Sequence, residues 1–147
     1  KYICAPKLEN YLLDLLDFYG CSLKFKARTG TLPLEYNIKS WSVDNTGICK
    51  LCNVNMEDTS HFMFSCSALH SIREQEYAVL RDKLRNHNLL LFWEWFNSDI
   101  EVKYFLMMEN IYMIDDTLGD IFDKCCKTFI KRAWKHRALC INTNSSI

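Results

Sequence analysis

The sequence predicts a mainly α-helical fold, a helical bundle that carries one Cys-Cys-His-Cys insertion. The chain has 147 residues, of which 49% are hydrophobic and 14% aromatic, which is enough to bury a core. It contains four Gly and two Pro, which favours long helices over a loop-rich β-sandwich. Apolar residues recur at helical spacing in several stretches. No apolar run approaches the ~20 residues that a membrane helix needs.

We expect a single domain over residues 1–147, cut from a larger protein, with the insertion at about 47–66. The sequence begins with Lys1 and shows no pattern of a secretory signal peptide. An intracellular location, nuclear or cytoplasmic, follows as an expectation. The cysteines are then expected to be reduced.

The first part of the chain predicts one helix over 6–19. Pro6 suits the first turn, leucines recur at helical spacing, and Gly20 is a natural stop. A short basic segment should follow and end at Thr29-Gly30. Residues 35–48 read as an irregular loop, for which Trp41 is the expected anchor.

The second part predicts four helices. The clearest covers 67–86 and has an apolar stripe, with charged residues such as Arg73 and Glu76 on the remaining surface. A short aromatic helix at 89–97 would either pack in the core or dock a partner. Ser98 and Glu101 have the capping-box spacing that begins a helix to about 113. A last helix over 117–140 combines an apolar face with a lysine-bearing one.

The insertion has the pattern C-x2-C-x8-H-x4-C. Zn²⁺ takes four ligands in a tetrahedron, and thiolate sulfur and imidazole nitrogen are its usual donors. Two Cys separated by two residues fit one tight turn, which Asn53 can close in a left-handed conformation. A helix capped by Thr59 or Ser60 would hold the second pair. The predicted ligands of this zinc knuckle are Cys49, Cys52, His61 and Cys66.

Disulfide, redox and catalytic roles fit these four residues less well than a structural metal site. A disulfide needs an oxidising compartment, and a thioredoxin-like C-x-x-C needs a surrounding βαβ pattern. A catalytic zinc keeps one position open, whereas four protein ligands close the site. We therefore expect a structural ion and no enzyme activity in this chain alone. Three thiolates leave the site with a net negative charge, for which Lys50 and the following backbone amides are candidate donors.

Two basic clusters predict contacts to nucleic-acid phosphates. The formal net charge is zero, but a neutral total can hide a basic face. Lysines at helical spacing in the last helix could follow phosphates, although an ordinary solvated face is the alternative. The candidate nucleic-acid-binding residues are Lys24, Lys26, Arg28, Lys124, Lys127, Lys131, Arg132 and Lys135.

The insertion resembles the C-terminal CCHC zinc-binding domain of non-LTR, LINE-like retrotransposon reverse transcriptases. The residues that carry the resemblance are Cys49-Lys50-Leu51-Cys52-Asn53, Glu57-Asp58-Thr59-Ser60-His61-Phe62, Phe64-Ser65-Cys66 and, upstream, Arg28-Thr29-Gly30. It covers roughly residues 23–85. Ser67 and Asn53 stand where that family often has Pro and Gly. The resemblance implies a domain that follows the polymerase and helps to hold RNA or DNA during target-primed reverse transcription.

Two functions follow as expectations. The first is a non-catalytic, zinc-stabilised domain that binds RNA, DNA or both, alongside the preceding reverse-transcriptase domains of a parent protein. The alternative is a protein-interaction module whose zinc is purely structural and which docks through the aromatic helix 89–97. Neither involves a membrane or a small-molecule substrate.

Overall fold

The computed structural model describes residues 9–91, 93, 94, 112 and 115–144. Within these residues no β-strand forms, and one isolated antiparallel bridge joins Ile48 to Met56. The predicted mainly helical bundle is confirmed. Its α-helices are α1 (Phe18–Thr29), α2 (Glu35–Ile38), α3 (His70–Asn86) and α4 (Asp116–Asn144), with 3₁₀ turns at Asn10–Leu13, Lys39–Trp41 and Ser67–Leu69 and a π-helix at His61–Ser65. The predicted helix 98–113, apart from Tyr112, lies outside the described residues, as do residues 92 and 95–97 of the predicted helix 89–97.

The long helix α4 forms the centre of the bundle, since α1 and α3 both pack against it. Apolar side chains at helical spacing line these contacts, and burying each of them contributes about 1.5–3 kcal/mol. The predicted stripe of α3 and the apolar face of α4 are confirmed. Fully buried members of the core are Leu80, Leu84, Leu118 and Ile130, with Phe62 and Phe122 almost as deep.

The prediction of one helix over 6–19 is wrong within the described residues. A 3₁₀ turn covers Asn10–Leu13, and α1 begins only at Phe18. The side chain of Asp17 accepts a hydrogen bond from the backbone N–H of Gly20 at 3.0 Å, so Gly20 lies in a first turn and does not stop a helix. Leu16 is 100% exposed, so the leucine pattern to which it belongs does not mark a buried helix face at this position. The predicted end at Thr29-Gly30 is confirmed, because Gly30 caps α1 with φ +69°.

The prediction of an irregular loop over 35–48 is confirmed only for 42–48, because α2 and a 3₁₀ turn occupy Glu35–Trp41, and Trp41 does not anchor the segment. Trp41 is 75% exposed. The segment is held instead by Leu32 and Leu34, both fully buried, and by the side-chain amide of Asn45, which donates to the carbonyl of Ile38 at 3.0 Å. A polar side chain therefore closes this loop where an aromatic one was expected.

A charged network joins α1 to α4 inside the bundle. Lys24 and Lys127 are 1% and 2% exposed, and their ammonium groups lie 2.6 and 2.7 Å from the two oxygens of Asp123. Lys127 also donates to the carbonyl of Tyr11 at 2.7 Å. Burial disfavours the charge of Lys127, but the hydrogen bond to Asp123, the charge of Asp123 and the contact with Cys21 together outweigh it and raise the pKa. Both lysines are therefore structural.

Candidate metal centre and basic groove

The structure brings the four predicted ligands together. Their donor atoms all lie within 4.8 Å of one another. The sulfurs of Cys49 and Cys66 are 3.9 Å apart, and the sulfur of Cys52 is 3.5 Å from Nε2 of His61. A tetrahedral Zn²⁺ with bonds of about 2.3 Å to sulfur and 2.0–2.1 Å to nitrogen has edges of about 3.8 Å and 3.6 Å. These two donor–donor distances therefore match the edges of a tetrahedral ion.

The first ligand pair lies on a tight turn. Asn53 has φ +58°, as the sequence predicts, and its backbone N–H donates to the carbonyl of Cys49 at 2.8 Å. The N–H of Cys49 donates in turn to the carbonyl of Asn55 at 2.8 Å. Gly47 has φ +81°, and a Cβ placed there would lie 2.6 Å from the methyl carbon of Met56. The turn therefore depends on the left-handed conformation of Asn53, and the residue at 47 must be a glycine because φ is positive there and a side chain would meet Met56.

The second pair is aligned by a π-helix. Residues five apart on an α-helix point about 140° away from each other, because each residue turns the helix by about 100°. The backbone N–H of Cys66 instead donates to the carbonyl of His61 at 2.8 Å, the i→i+5 bond of a π turn. The wider turn places both side chains on one side. The helix cap is Asp58, which accepts from the N–H of His61 at 2.7 Å, so the prediction of Thr59 or Ser60 was wrong.

Backbone amides surround the sulfurs. Cys49 receives the N–H groups of Leu51 and Cys52, Cys52 those of Val54 and Asn55, and Cys66 those of Ala68 and Leu69. This confirms the expectation that amides following each cysteine stabilise negative charge on sulfur. Lys50, the other expected donor, pairs with Glu35 at 3.3 Å instead.

Burial keeps two of the thiols neutral unless a cation is bound. It raises the pKa of Cys49 to about 12 and also raises the pKa of Cys66. At Cys52 burial acts in the same direction, but the surrounding amides outweigh it and lower the pKa. Burial lowers the pKa of His61, which favours the neutral imidazole that ligates metals. A divalent ion would supply the charge that converts such thiols to thiolates.

Glu57 and Arg137 support the centre, and sequence reasoning missed them as a pair. Glu57 is fully buried, and its carboxylate accepts from Arg137 at 2.7 and 2.9 Å and from the backbone N–H of Glu35 at 2.9 Å. The same carboxylate lies 3.6 Å from the sulfur of Cys49. The acidic run before His61 was the available signal, but nothing in the sequence pointed to Arg137.

Arg73 is a second missed residue, since it was expected on the solvated side of α3. It is 5% exposed, and its guanidinium donates to the carbonyls of Met63, Cys66 and Phe62 at 3.0, 3.3 and 3.5 Å. Carbonyls at the end of a short helical turn have no partner within it. Arg73 therefore closes the π turn that aligns two ligands.

Most residues predicted to contact phosphates are engaged within the protein. Lys24 and Lys127 are buried against Asp123, so they do not reach a phosphate, and the prediction of phosphate contacts by these two residues was wrong. Arg28 pairs with Glu9. Lys124 is exposed but lines a cavity together with several aspartates. The helix therefore does not offer the continuous line of free lysines that its spacing predicted.

The remaining cations of α4 gather at a groove of about 500 Å³, here called the basic groove. Lys131 pairs with Asp17 at 3.0 Å and Arg132 with Glu76 at 2.7 Å, yet their side chains stay 34% and 40% exposed. Lys135 is exposed, as is Lys26 on α1. The basic groove is lined by Tyr19, Lys131, Arg132, Trp134, Lys135, Ala138, Leu139 and Asn142.

Fold and site together define a helical domain organised around a possible Cys₃His metal centre. Comparisons of the chain with protein-family models, with curated proteins and with solved structures gave no significant match. Among the described helices, none combines the length and apolar character that crossing a membrane requires.

Proposed function

We propose that the chain is a non-catalytic, zinc-stabilised domain that binds RNA, DNA or both, within a LINE-like retrotransposon reverse transcriptase or a protein derived from one. The resemblance of the Cys-Cys-His-Cys stretch supports the retrotransposon assignment. Zn²⁺ is the favoured ion because three soft sulfurs and one imidazole in a tetrahedron suit it. Four protein ligands would leave no open position for water, which favours a structural ion.

The observation that carries nucleic-acid binding is the basic groove. Lys131 and Lys135 lie one turn apart on α4, Arg132 is next to Lys131, and all three line the groove with side chains that stay partly or fully exposed. Cations on a shared face can replace the counterions of a phosphate backbone. The metal centre lies behind this face, because Phe62, next to His61, packs edge-on against Trp134 with ring centroids 6.0 Å apart.

The test is metal content by mass spectrometry, followed by the salt dependence of binding to RNA and DNA. Neutralising each phosphate should steepen log K against log salt by about 0.7 for a single strand and 0.9 for a duplex. Lys135→Glu should weaken binding and flatten that slope. Arg81→Glu is the matched control, an exposed cation on α3 outside the groove. Affinity independent of salt, or equal losses in both variants, would refute the proposal.

The protein-interaction alternative rests on the aromatic helix 89–97. Phe92, Trp95 and Phe96 lie outside the described residues. Trp93 packs edge-on against Tyr77 at 5.8 Å, whereas Leu91 is 80% exposed. Sedimentation of Trp95→Asp tests this alternative, since it requires a self-association or partner complex that the variant loses.

A further inference from the structure

We propose that the basic groove takes single-stranded nucleic acid in preference to duplex, with the ring of Tyr19 stacking on a base. This inference rests on the proposed function and specifies the ligand of the same site. Three cations and two aromatic rings line the groove, which is the combination that tracks a backbone and receives unpaired bases.

The two rings have different roles. Trp134 is held on its protein side, because its ring packs near-perpendicular to Phe62 and the guanidinium of Arg137 lies 5.1 Å from its ring centroid. Tyr19 is 55% exposed in the first turn of α1. Trp134 thus belongs to the wall of the groove, and Tyr19 offers a ring to a ligand.

Asp17 sets the position of Tyr19 relative to the cations. One of its oxygens accepts from the backbone N–H of Gly20 at 3.0 Å, which fixes the start of α1. Its other oxygen accepts from Lys131 at 3.0 Å. A single carboxylate therefore joins the aromatic side of the groove, on α1, to its basic side, on α4.

A duplex cannot use this arrangement. Its bases are stacked inside, and only the phosphates and groove edges reach a protein, so the Tyr19 ring would contribute nothing. A single strand presents both a charged backbone and open base faces, and stacking contributes about 1–3 kcal/mol per base.

The experiment measures fluorescence anisotropy on the full chain, loaded with zinc, with labelled oligonucleotides of about 12 nucleotides, close to a typical single-strand site size. Single-stranded RNA, single-stranded DNA and a duplex of the same sequence are compared. We expect either single strand to bind at least tenfold more tightly than the duplex. Tyr19→Ala should weaken single-strand binding about tenfold and leave duplex binding unchanged, whereas Tyr19→Phe should bind like the unaltered chain.

Tyr36→Ala is the matched control, because Tyr36 is 43% exposed and does not line the groove. Zinc content and circular dichroism show that each variant is folded. If duplex and single strands bind equally and Tyr19→Ala has no effect, the single-strand inference is wrong while nucleic-acid binding stands. If no oligonucleotide binds at low salt, the proposed function fails with it.

Discussion

Arg137 and Glu57 form a buried, two-bonded ion pair across 80 positions of sequence, with Nε and Nη2 of the arginine 2.9 and 2.7 Å from the carboxylate oxygens. Glu57 precedes His61 and contacts the sulfur of Cys49. Arg137 lies on the C-terminal half of α4. The pair therefore fastens the candidate metal centre to the helix that carries the basic groove.

Removing Arg137 should destabilise the domain strongly. Arg137→Met leaves the carboxylate of Glu57 buried without its guanidinium, which costs about 3–5 kcal/mol of unfolding free energy. The double variant with Glu57→Gln should recover much of that loss, because the charge of Glu57 is gone and Glu35, which Arg137 also contacts at 3.5 Å, keeps Lys50 at 3.3 Å. Urea unfolding at saturating zinc measures both, with Arg81→Met as control. Equal losses in the single and double variants would mean that the pair acts through shape alone.

Loss of the metal should loosen α4 as well as the ligand loops. Cys66→Ser should abolish stoichiometric zinc binding, since one sulfur of the tetrahedron is gone. Hydrogen exchange should then accelerate at 47–66 and also at 131–142, because Phe62 and Glu57 hold that part of the helix. Cys140→Ser, outside the ligand set, should change neither quantity. Faster exchange confined to 47–66 would contradict the coupling.

Arg73 should tune metal affinity without touching the metal. Arg73→Met frees the carbonyls that close the π turn, so His61 and Cys66 lose their fixed alignment. Groups that orient ligands typically contribute 10- to 100-fold in metal affinity. Competition with a chromophoric zinc chelator measures the change, and Arg81→Met on the same helix is the comparison. Unchanged affinity would show that the turn is held by its own backbone.

The pair of Asp17 and Lys131 predicts an acid-dependent stability term. Burial tends to raise the pKa of Asp17, but the hydrogen bonds from Lys131 and from the N–H of Gly20, with the charges of Lys131 and Lys127, together outweigh it, and the pKa lies below its ordinary value of 3.8. Stability from this charge is present above pH 3.8 and is lost as the pH falls through the lower, folded value. Asp17→Asn keeps an N-cap acceptor but removes the charge, so we expect a loss of about 0.5–1 kcal/mol at neutral pH.

The difference between Asp17→Asn and the unaltered chain should shrink as the pH is lowered in urea unfolding. Asp44→Asn, in an exposed loop, should show no such trend. A difference that stays constant with pH would mean that the carboxylate acts only as a cap.

The candidate metal ligands could be predicted because their chemistry is local, with all four inside one short stretch whose spacing restricts its geometry. The supporting contacts could not. Lys24 meets Asp123 across 99 positions, and no periodicity indicates which cation will meet which acid. The helical periodicity of α4 correctly placed Lys127 on the face opposite the apolar residues. It could not show that α1 packs on this second face and buries Lys127 as well. The spacing of the leucines near the N-terminus predicted a helix over 6–19, but the cap at Asp17 starts α1 only at Phe18.

The π turn between His61 and Cys66 has a consequence for how such centres can vary between proteins. An α-helical turn aligns residues four apart, and a π turn aligns residues five apart. Two ligand spacings, H-x3-C and H-x4-C, can therefore present the same pair of donor atoms to an ion. A π turn can therefore carry one residue more than an α-helical turn between two ligands that face the same ion.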